Sequence, residues 1–579
     1  MKLNFKNYLL IYSVIKKYVG TKDIFFVVTI MSVASFFEVI GIASLGSSFG
    51  IIVQSEKIIT PKFLIPILGF FKNDPYTIGS VELLTFSLIV LTITMIFNIY
   101  ADFIKFKILC NNKSKLSINL FEKYINKPYS EIINLNTDDL GKNILIEAER
   151  ISNGIIFATL NVASSLILFL AIILLLSTWN IRALITIIIL LSSIYFLIFW
   201  SLGKYISKFG KLITKATAKR FRIATESLKN IKLIKVIGIE EEIVSSFAKF
   251  ADIKAKNQIY TLIMKEAPRH IIQWFIFFAS IIAYFLFLNT TELSEIVPTI
   301  AIFCLAGYKL LPALQKVYLN LNEIKINFSA FDLVKKELNE SDRNIISAPK
   351  LKKFKVNGDI QLINCYLKTE KTNKTLLKKI NLTIKRGSKV AIVGESGSGK
   401  SSLLNLLLGL LKPSSGEIKI SNEILHQTLS NKQWRSCIGY VPQSVFLIDG
   451  TVKANVALME TIINEENIIK ASNISLLDKA LKDRKCDLNE LVGDNGIKFS
   501  GGQVQRIGIA RAIYKMPSVL ILDEATGALD SLTEQRIFKN IFKYMNQITV
   551  IAVTHRKDIL TLFDEVIYLE DGEIKKVNE

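Results

Sequence analysis

Apolar residues crowd the first 320 positions of this 579-residue chain, in six runs each long enough to cross a bilayer as a helix. They lie at roughly 24–53, 83–108, 151–178, 181–203, 263–289 and 295–318, the third and fourth parted only by a turn around Trp179 and Asn180. Inside hydrocarbon every backbone polar group must be bonded within the segment or to a neighbour, so this half of the chain is constrained to be a helical bundle. Half of all residues are hydrophobic and the mean hydropathy of +0.37 is high for a soluble enzyme. The length accommodates two or three domains.

The net charge of +22 has two readings, nucleic-acid binding or positive-inside membrane topology. The positions of the basic residues decide between them. Lys113, Lys115, Lys123, Lys127 and Lys142 follow span two, and a longer series from Lys204 through Lys219, Arg220, Arg222 and Lys229 to Lys235 follows span four. The turn between spans five and six, Asn289 to Pro298, has no Lys or Arg. A multi-pass protein with both termini in the cytoplasm is therefore expected, at the cytoplasmic (inner) membrane and in contact with its lipid bilayer, and no nucleic-acid partner is needed. The N-terminal stretch lacks a small-residue cleavage site and reads as an amphipathic cytoplasmic helix. The cysteines are scattered without a CxxC pair, which argues against a disulfide framework or a metal site built on them.

The two cytoplasmic loops contain few helix breakers, so spans two to five are expected to continue as helices beyond the membrane, turning near 130–140 and 227–234; separate surface helices are the alternative. Residues 59–71, ITPKFLIPILGFF, are too short to cross and too apolar for water. They read as an interfacial helix on the outer leaflet or as a folded-over extension of span one.

Near position 357 the pattern changes to short strands and turns. We divide the chain into a membrane domain (1–335), a linker (336–356) and a soluble domain (357–579). The soluble part carries GESGSGKSS, comprising Gly394, Glu395, Ser396, Gly397, Ser398, Gly399, Lys400, Ser401 and Ser402, between an apolar strand and a helix. Such a loop cradles phosphates on backbone N–H groups, with Lys400 reaching the β- and γ-phosphates and Ser401 ligating Mg²⁺. ATP and Mg²⁺ are the implied ligands. In VLILDE a buried strand ends in Asp523, placed to hold Mg²⁺, and Glu524, the candidate general base or water-positioning residue. His555 follows the strand TVIAVT and is placed to reach the γ-phosphate. Gln443, in YVPQSVFL, is placed to sense Mg²⁺ and the membrane domain.

The ordered set of GESGSGKSS, Gln443, FSGGQ (Phe499 to Gln503), VLILDE, GALD ending in Asp530, and His555 resembles the ATPase domain of ABC transporters. With six preceding spans, nearly the whole chain resembles an ABC exporter half. The resemblance implies an α-helical membrane domain of six transmembrane helices extended into the cytoplasm, followed by an α/β P-loop ATPase domain of the ABC type. It also implies that ATP is sandwiched between one glycine loop and a partner's signature motif, here Ser500, Gly501, Gly502 and Gln503, with Asp530 nearby. Backbone amides at a helix N-terminus suit a γ-phosphate. One chain holds one set, so a second copy is the simplest partner, with a related second subunit as the alternative. Departures from the family pattern are Phe499 where Leu is usual, Gly527 where Ser is usual, and Thr554 where Ala is common. The adenine-stacking aromatic is replaced by Lys368 or Thr369, with Tyr366 the nearest ring.

Three cations bear on the cargo. Lys309 and Lys316 are seven residues apart on one face of span six, and Arg269 lies in span five. A charge in hydrocarbon costs about 2.5–3.5 kcal/mol even on a lenient scale, so these face water or an anion, or snorkel to the inner interface. Glu38, also within a span, is a structural partner for a cation. SFFEVIGIASL, APR at Arg269 and GYKLLPALQK resemble the bacterial lipid-linked oligosaccharide flippase, although lysine stands at 309 and 316 where arginine is expected and Asn98 stands where another basic residue is expected. That resemblance implies outward movement of a polyprenyl-pyrophosphate-linked oligosaccharide. Export of peptide, drug or another lipid is the alternative, and a nucleotide-gated channel or regulator is a third reading.

Overall fold

The computed structural model describes residues 18–53, 80–177, 208–287, 293–339, 354–369, 374–493 and 496–578, with positions 16, 201 and 205. Span 181–203 is described only at position 201, and the apolar segment 59–71 lies outside the described residues. The chain divides into two compact units, residues 1–127 with 132–344 and residues 128–131 with 345–579.

In the first unit, α1 is Thr21–Val53 and α2 is Ser80–Asn126. A short helix, α3 (Tyr129–Ile132), grouped with the second unit except for Ile132, precedes α4, which starts at Thr137 and runs to Ser177 through two π-helical turns, Asn143–Glu147 and Ser152–Phe157. Among the described residues, α1, α2 and α4 are long and apolar enough to cross a membrane. Residues 208–229 are helical, α5 is Ile231–Ile237, α6 is Glu240–Phe287 and α7 is Leu293–Asn339. At 47 residues α2 is about 70 Å long, more than twice the hydrocarbon thickness of about 30 Å. The stretch after span two is thus a continuation of its helix. Gly238, at φ +76, ends α5 in the left-handed conformation glycine adopts at little cost. The last turn of α7 reaches Asn339, so the segment read as a linker from 336 begins inside a helix; residues 340–353 lie outside the described ones.

The extensions share a core of their own. Leu116, Leu120 and Tyr124 of α2 pack with Ile151 and Ile156 of α4 and with Phe331, Val334 and Leu338 of α7. Beside it the buried Glu147 carboxylate accepts from Arg150 Nη1 at 2.9 Å, with Lys142 Nζ at 3.8 Å. Arg150 Nε also donates to Asn327 Oδ1 on α7 at 3.1 Å. Removing either partner of such a pair strands a buried charge, and the Arg150–Asn327 bond ties this cluster of α4 to α7.

Among the described residues the second unit has two sheets. The smaller, antiparallel one is ordered β2 (Thr375–Ile384), β1 (Ile360–Lys368), β4 (Ser415–Ile420), β5 (Glu423–Ile424). In the larger sheet, β9 (Glu565–Glu570), β3 (Lys389–Val393), β8 (Thr549–Val553), β7 (Val519–Asp523) and β6 (Ile438–Val441) run parallel in that order, and β10 (Glu573–Asn578) pairs antiparallel to β9. β8 is buried at every position and β3 and β7 at all but the last, as their unbroken apolar sequences require of a sheet covered on both faces. Because β3, β8, β7 and β6 are parallel neighbours, the residues following Val393, Val553, Asp523 and Val441 emerge on one edge. Ligands of open parallel sheets bind at that carboxyl edge.

Candidate nucleotide site

The glycine loop emerges from β3 and feeds α8 (Lys400–Leu407). Gly397 and Gly399 hold φ of +88° and +105°, where a side chain is strained. At Gly394 a Cβ would come 2.2 Å from the Leu569 carbonyl oxygen and 2.7 Å from Ser398 Oγ, so only hydrogen fits. Lys400 is buried, and its ammonium donates to the carbonyls of Gly394 at 2.8 Å and Glu395 at 2.7 Å, across the loop. Ser398 Oγ is buried without a hydrogen-bond partner. The first amides of a helix lack partners within it. Free helix-terminal donors, an unpaired hydroxyl and a fixed ammonium fit a polyphosphate. Mg²⁺ commonly takes one or two protein oxygens and completes its shell with phosphate and water, and Ser401 and Asp523 supply such a pair. Bound there, the ion would neutralise charge on the phosphates.

Three residues come together at the carboxyl edge. Glu524, one residue past β7, accepts from Gln443 Nε2 at 2.8 Å through one carboxylate oxygen. Its other oxygen lies 2.9 Å from His555 Nε2. Gln443 follows β6 and His555 follows β8, so the strand order β6–β7–β8 brings 443, 524 and 555 side by side. Glu524 itself has φ +46°, a left-handed conformation that costs a non-glycine residue about 1–2 kcal/mol. That strain is held by Glu524 N donating to the Val553 carbonyl at 3.3 Å.

Asp523 is half-buried, and burial first, then the neighbouring Glu524 charge, push its carboxyl above the ordinary aspartate range, while the Tyr440 hydroxyl and Lys400 pull it down. The Tyr440 hydroxyl in turn is pushed up to about 12, by burial and by Asp523. Sequence reasoning missed Tyr440, although it sits in the same YVPQ segment as Gln443.

The signature segment opens α9 (Gly501–Tyr514) with a reciprocal capping box: the Ser500 side chain accepts from the Gln503 backbone, and Gln503 Oε1 accepts from Ser500 N at 3.0 Å. Gly501 and Gly502 pack closely on Ala528, within their own chain. Asp530 is the N-cap of α10 (Ser531–Tyr544), accepting from Thr533 N at 2.9 Å, and that bond holds its carboxyl below the usual range. The departures from the family pattern find local accounts. The Arg484 guanidinium lies 4.4 Å from the Phe499 ring centre, a cation–π contact that leucine could not make. Thr554 Oγ1 accepts from Arg556 N at 3.1 Å. At Gly527 a Cβ would meet only the Glu524 carbonyl oxygen at 3.6 Å, an ordinary contact. Thr369 closes the β1–β2 hairpin by donating to the Lys374 carbonyl from both N and Oγ1, at 2.9 and 3.0 Å.

In the membrane unit Arg269 and Lys316 are both exposed, and among the described residues neither has an ion-pair partner. Neighbouring charges between α6 and α7 are paired, Lys265 with Glu323, while Gln315 Nε2 lies 3.4 Å from Glu266 Oε2. Lys309 lies within α7, but its side chain is outside the described residues. Glu38 is buried.

Comparison with known proteins bears on the family and the fold. The family model "ABC transporter" matches residues 377–527, and "ABC transporter transmembrane region" matches 44–306. The chain is 30% identical over 369 residues to "Multidrug resistance-like ATP-binding protein MdlA" of Buchnera aphidicola subsp. Baizongia pistaciae, covering 62% of each chain. It is 33% identical over 278 residues to "Leukotoxin translocation ATP-binding protein LktB" of Mannheimia haemolytica, covering 48% of this chain and 38% of that one. The matched regions thus span less than two thirds of these relatives. A solved structure, "Structure of a bacterial Atm1-family ABC exporter with ATP bound", superposes with a TM-score of 0.77 at 19% identity, covering 96% of this chain and 95% of the other, a likeness of fold. A match to the ABC transporter transmembrane region thus lies ahead of a match to the ABC transporter ATPase domain, on a chain with the fold of that solved exporter.

Proposed function

We propose that this chain is one half of a homodimeric exporter of the cytoplasmic membrane, which hydrolyses ATP to move an anionic amphiphile outward. The observation that carries the reading is the meeting of Gln443, Glu524 and His555 at the edge where the glycine loop emerges, in a chain whose other unit is membrane helices. ATP binds across the loop from Gly394 to Ser402. Glu524 accepts the proton of a water as its oxygen bonds to the γ-phosphorus and the bond to the β–γ bridging oxygen breaks. Gln443 and His555 hold the carboxylate in place. One chain has one glycine loop and one FSGGQ, so a second copy completes each ATP site.

For the cargo we propose a polyprenyl-pyrophosphate-linked oligosaccharide. Arg269 and Lys316, exposed and without ion-pair partners among the described residues, offer cations to a pyrophosphate, and Lys309 shares the face of Lys316 by its spacing. A second reading, a drug or a toxin-like polypeptide, is favoured by the names of the relatives. Proteoliposomes separate the two. Flipping of a fluorescent lipid-pyrophosphate glycan, dependent on ATP and lost in Arg269→Ala with Lys316→Ala, supports the first. ATP-dependent uptake of drug or peptide, with the glycan lipid left unmoved, replaces it with the second.

A further inference from the structure

We infer that Arg556 is a positioning residue for hydrolysis, clamping the loop that follows Glu524 to the strand end that carries His555. This rests on the ATPase reading above and adds to it a residue that acts through its hold on the backbone beside Glu524 and His555. Arg556 directly follows His555, and its backbone N is tied to Thr554 Oγ1 at 3.1 Å. Its guanidinium forks. Nη1 donates to Glu534 Oε2 at 2.7 Å, while Nη2 donates to the Leu529 carbonyl at 2.9 Å and lies 3.4 Å from the Gly527 carbonyl. Glu534 is 1% exposed, and its other oxygen accepts from Thr526 Oγ1 at 2.5 Å. The loop 526–530 is therefore gripped at Thr526, Gly527 and Leu529 by one ion pair, buried on its Glu534 side. A further grip comes from α9, where the buried Gln505 Oε1 accepts from Ala528 N at 2.9 Å.

The consequence lies two residues upstream. Glu524 sits in a strained backbone conformation, and the loop that leaves it must be held for its carboxylate to stay between Gln443 and His555. His555 and the loop sit on different strands, and the Arg556–Glu534 pair joins them. The fork needs a planar guanidinium with several donors; a lysine ammonium keeps the charge with Glu534 but satisfies the carbonyls less well.

The test uses the full chain in detergent or nanodiscs, with ATP turnover and nucleotide binding measured separately. Arg556→Ala should lower kcat at least about tenfold with nucleotide Kd unchanged, because misplacement of a reacting group by about 1 Å costs up to about a hundredfold in rate. Arg556→Lys should recover part of that loss. Since Arg556→Ala leaves Glu534 buried with fewer partners, it is read beside Arg556→Met combined with Glu534→Gln, which removes both charges and should retain wild-type melting while still losing kcat. A double variant with kcat within about twofold of wild type overturns the inference, as does a loss confined to KM and Kd. Glu524→Gln is the control arm. If it turns over as fast as wild type, the assignment of the base fails; if it is inactive while the Arg556 variants are unimpaired, only the positioning role falls.

Discussion

Replacing Glu524 by glutamine removes a proton acceptor while leaving its surroundings almost intact, which makes it the sharpest test of the hydrolytic centre. The carboxylate accepts one bond from Gln443 Nε2 at 2.8 Å and faces His555 Nε2 at 2.9 Å. A glutamine amide can still accept from Gln443 through its oxygen and donate to a neutral imidazole nitrogen through its NH₂. The backbone at φ +46 is equally strained for either residue. Folding and ATP binding should thus survive, and only chemistry should suffer. Positioned general bases contribute about 10²–10⁴-fold. At about 1.4 kcal/mol per tenfold, the barrier should rise by about 3–6 kcal/mol. Steady-state phosphate release should fall by that factor, while nucleotide affinity, read by a fluorescent ATP analogue, stays within about twofold. His555→Ala should cost less than Glu524→Gln if the imidazole only orients the carboxylate. Wild-type turnover in Glu524→Gln, or a loss of turnover matched by a loss of ATP binding, would refute the assignment.

Other consequences follow from single contacts. Gly394→Ala would drive a methyl to 2.2 Å from a backbone oxygen of β9, so the loop must shift; overpacking of this kind costs about 1–3 kcal/mol and should abolish ATP binding, measurable by titration and by melting temperature. Asp523→Asn should raise the melting temperature without Mg²⁺ or nucleotide at neutral pH while abolishing Mg²⁺-dependent turnover. The sign follows from the raised carboxyl: the fold favours its protonated form, that contribution is lost as pH rises through the folded-state pKa, and the ionised group then weighs against folding. The gain in melting temperature should therefore shrink on acidification; a gain that grows in acid refutes the account. Lys389, buried at the start of β3, donates to the carbonyls of Gly387, Asn546 and Ile548 at 2.6, 3.2 and 2.6 Å, so Lys389→Met should destabilise the ATPase domain by about 2–4 kcal/mol in denaturant melts. Gly527→Ser should change stability by no more than about 0.5 kcal/mol, since the added atom meets only an ordinary contact.

What could be read from the residues alone follows from how far apart the cooperating atoms lie along the chain. The glycine loop is legible because nine consecutive residues, Gly394 to Ser402, build it. Gln443, Glu524 and His555 are legible for a topological reason: each follows an apolar strand, and parallel strands necessarily deliver their following residues to one edge. The clamp of Arg556 on Glu534 was not legible. Its two residues are 22 apart, Glu534 sits inside a helix where a charged residue is ordinarily solvated, and only the packing of α10 beneath the loop buries it. The Tyr440 contact with Asp523 was missed for the same reason, since it joins neighbouring strands 83 residues apart. The cations of the membrane half lie at the other extreme. Arg269, Lys309 and Lys316 stand out in sequence because a charge in an apolar run is costly, yet spacing fixes only which of them share a helix face. In the proposed homodimer, which face meets cargo depends on helices contributed by the second copy, information that a single chain's spacing does not carry. A cysteine introduced at residue 316 and probed for crosslinking between copies therefore tests more than proximity. Crosslinked dimers in the absence of ATP would put the Lys316 pair on a shared cavity, whereas labelling of that cysteine by lipid-phase reagents without crosslinks would put it on the lipid face and remove it from cargo recognition.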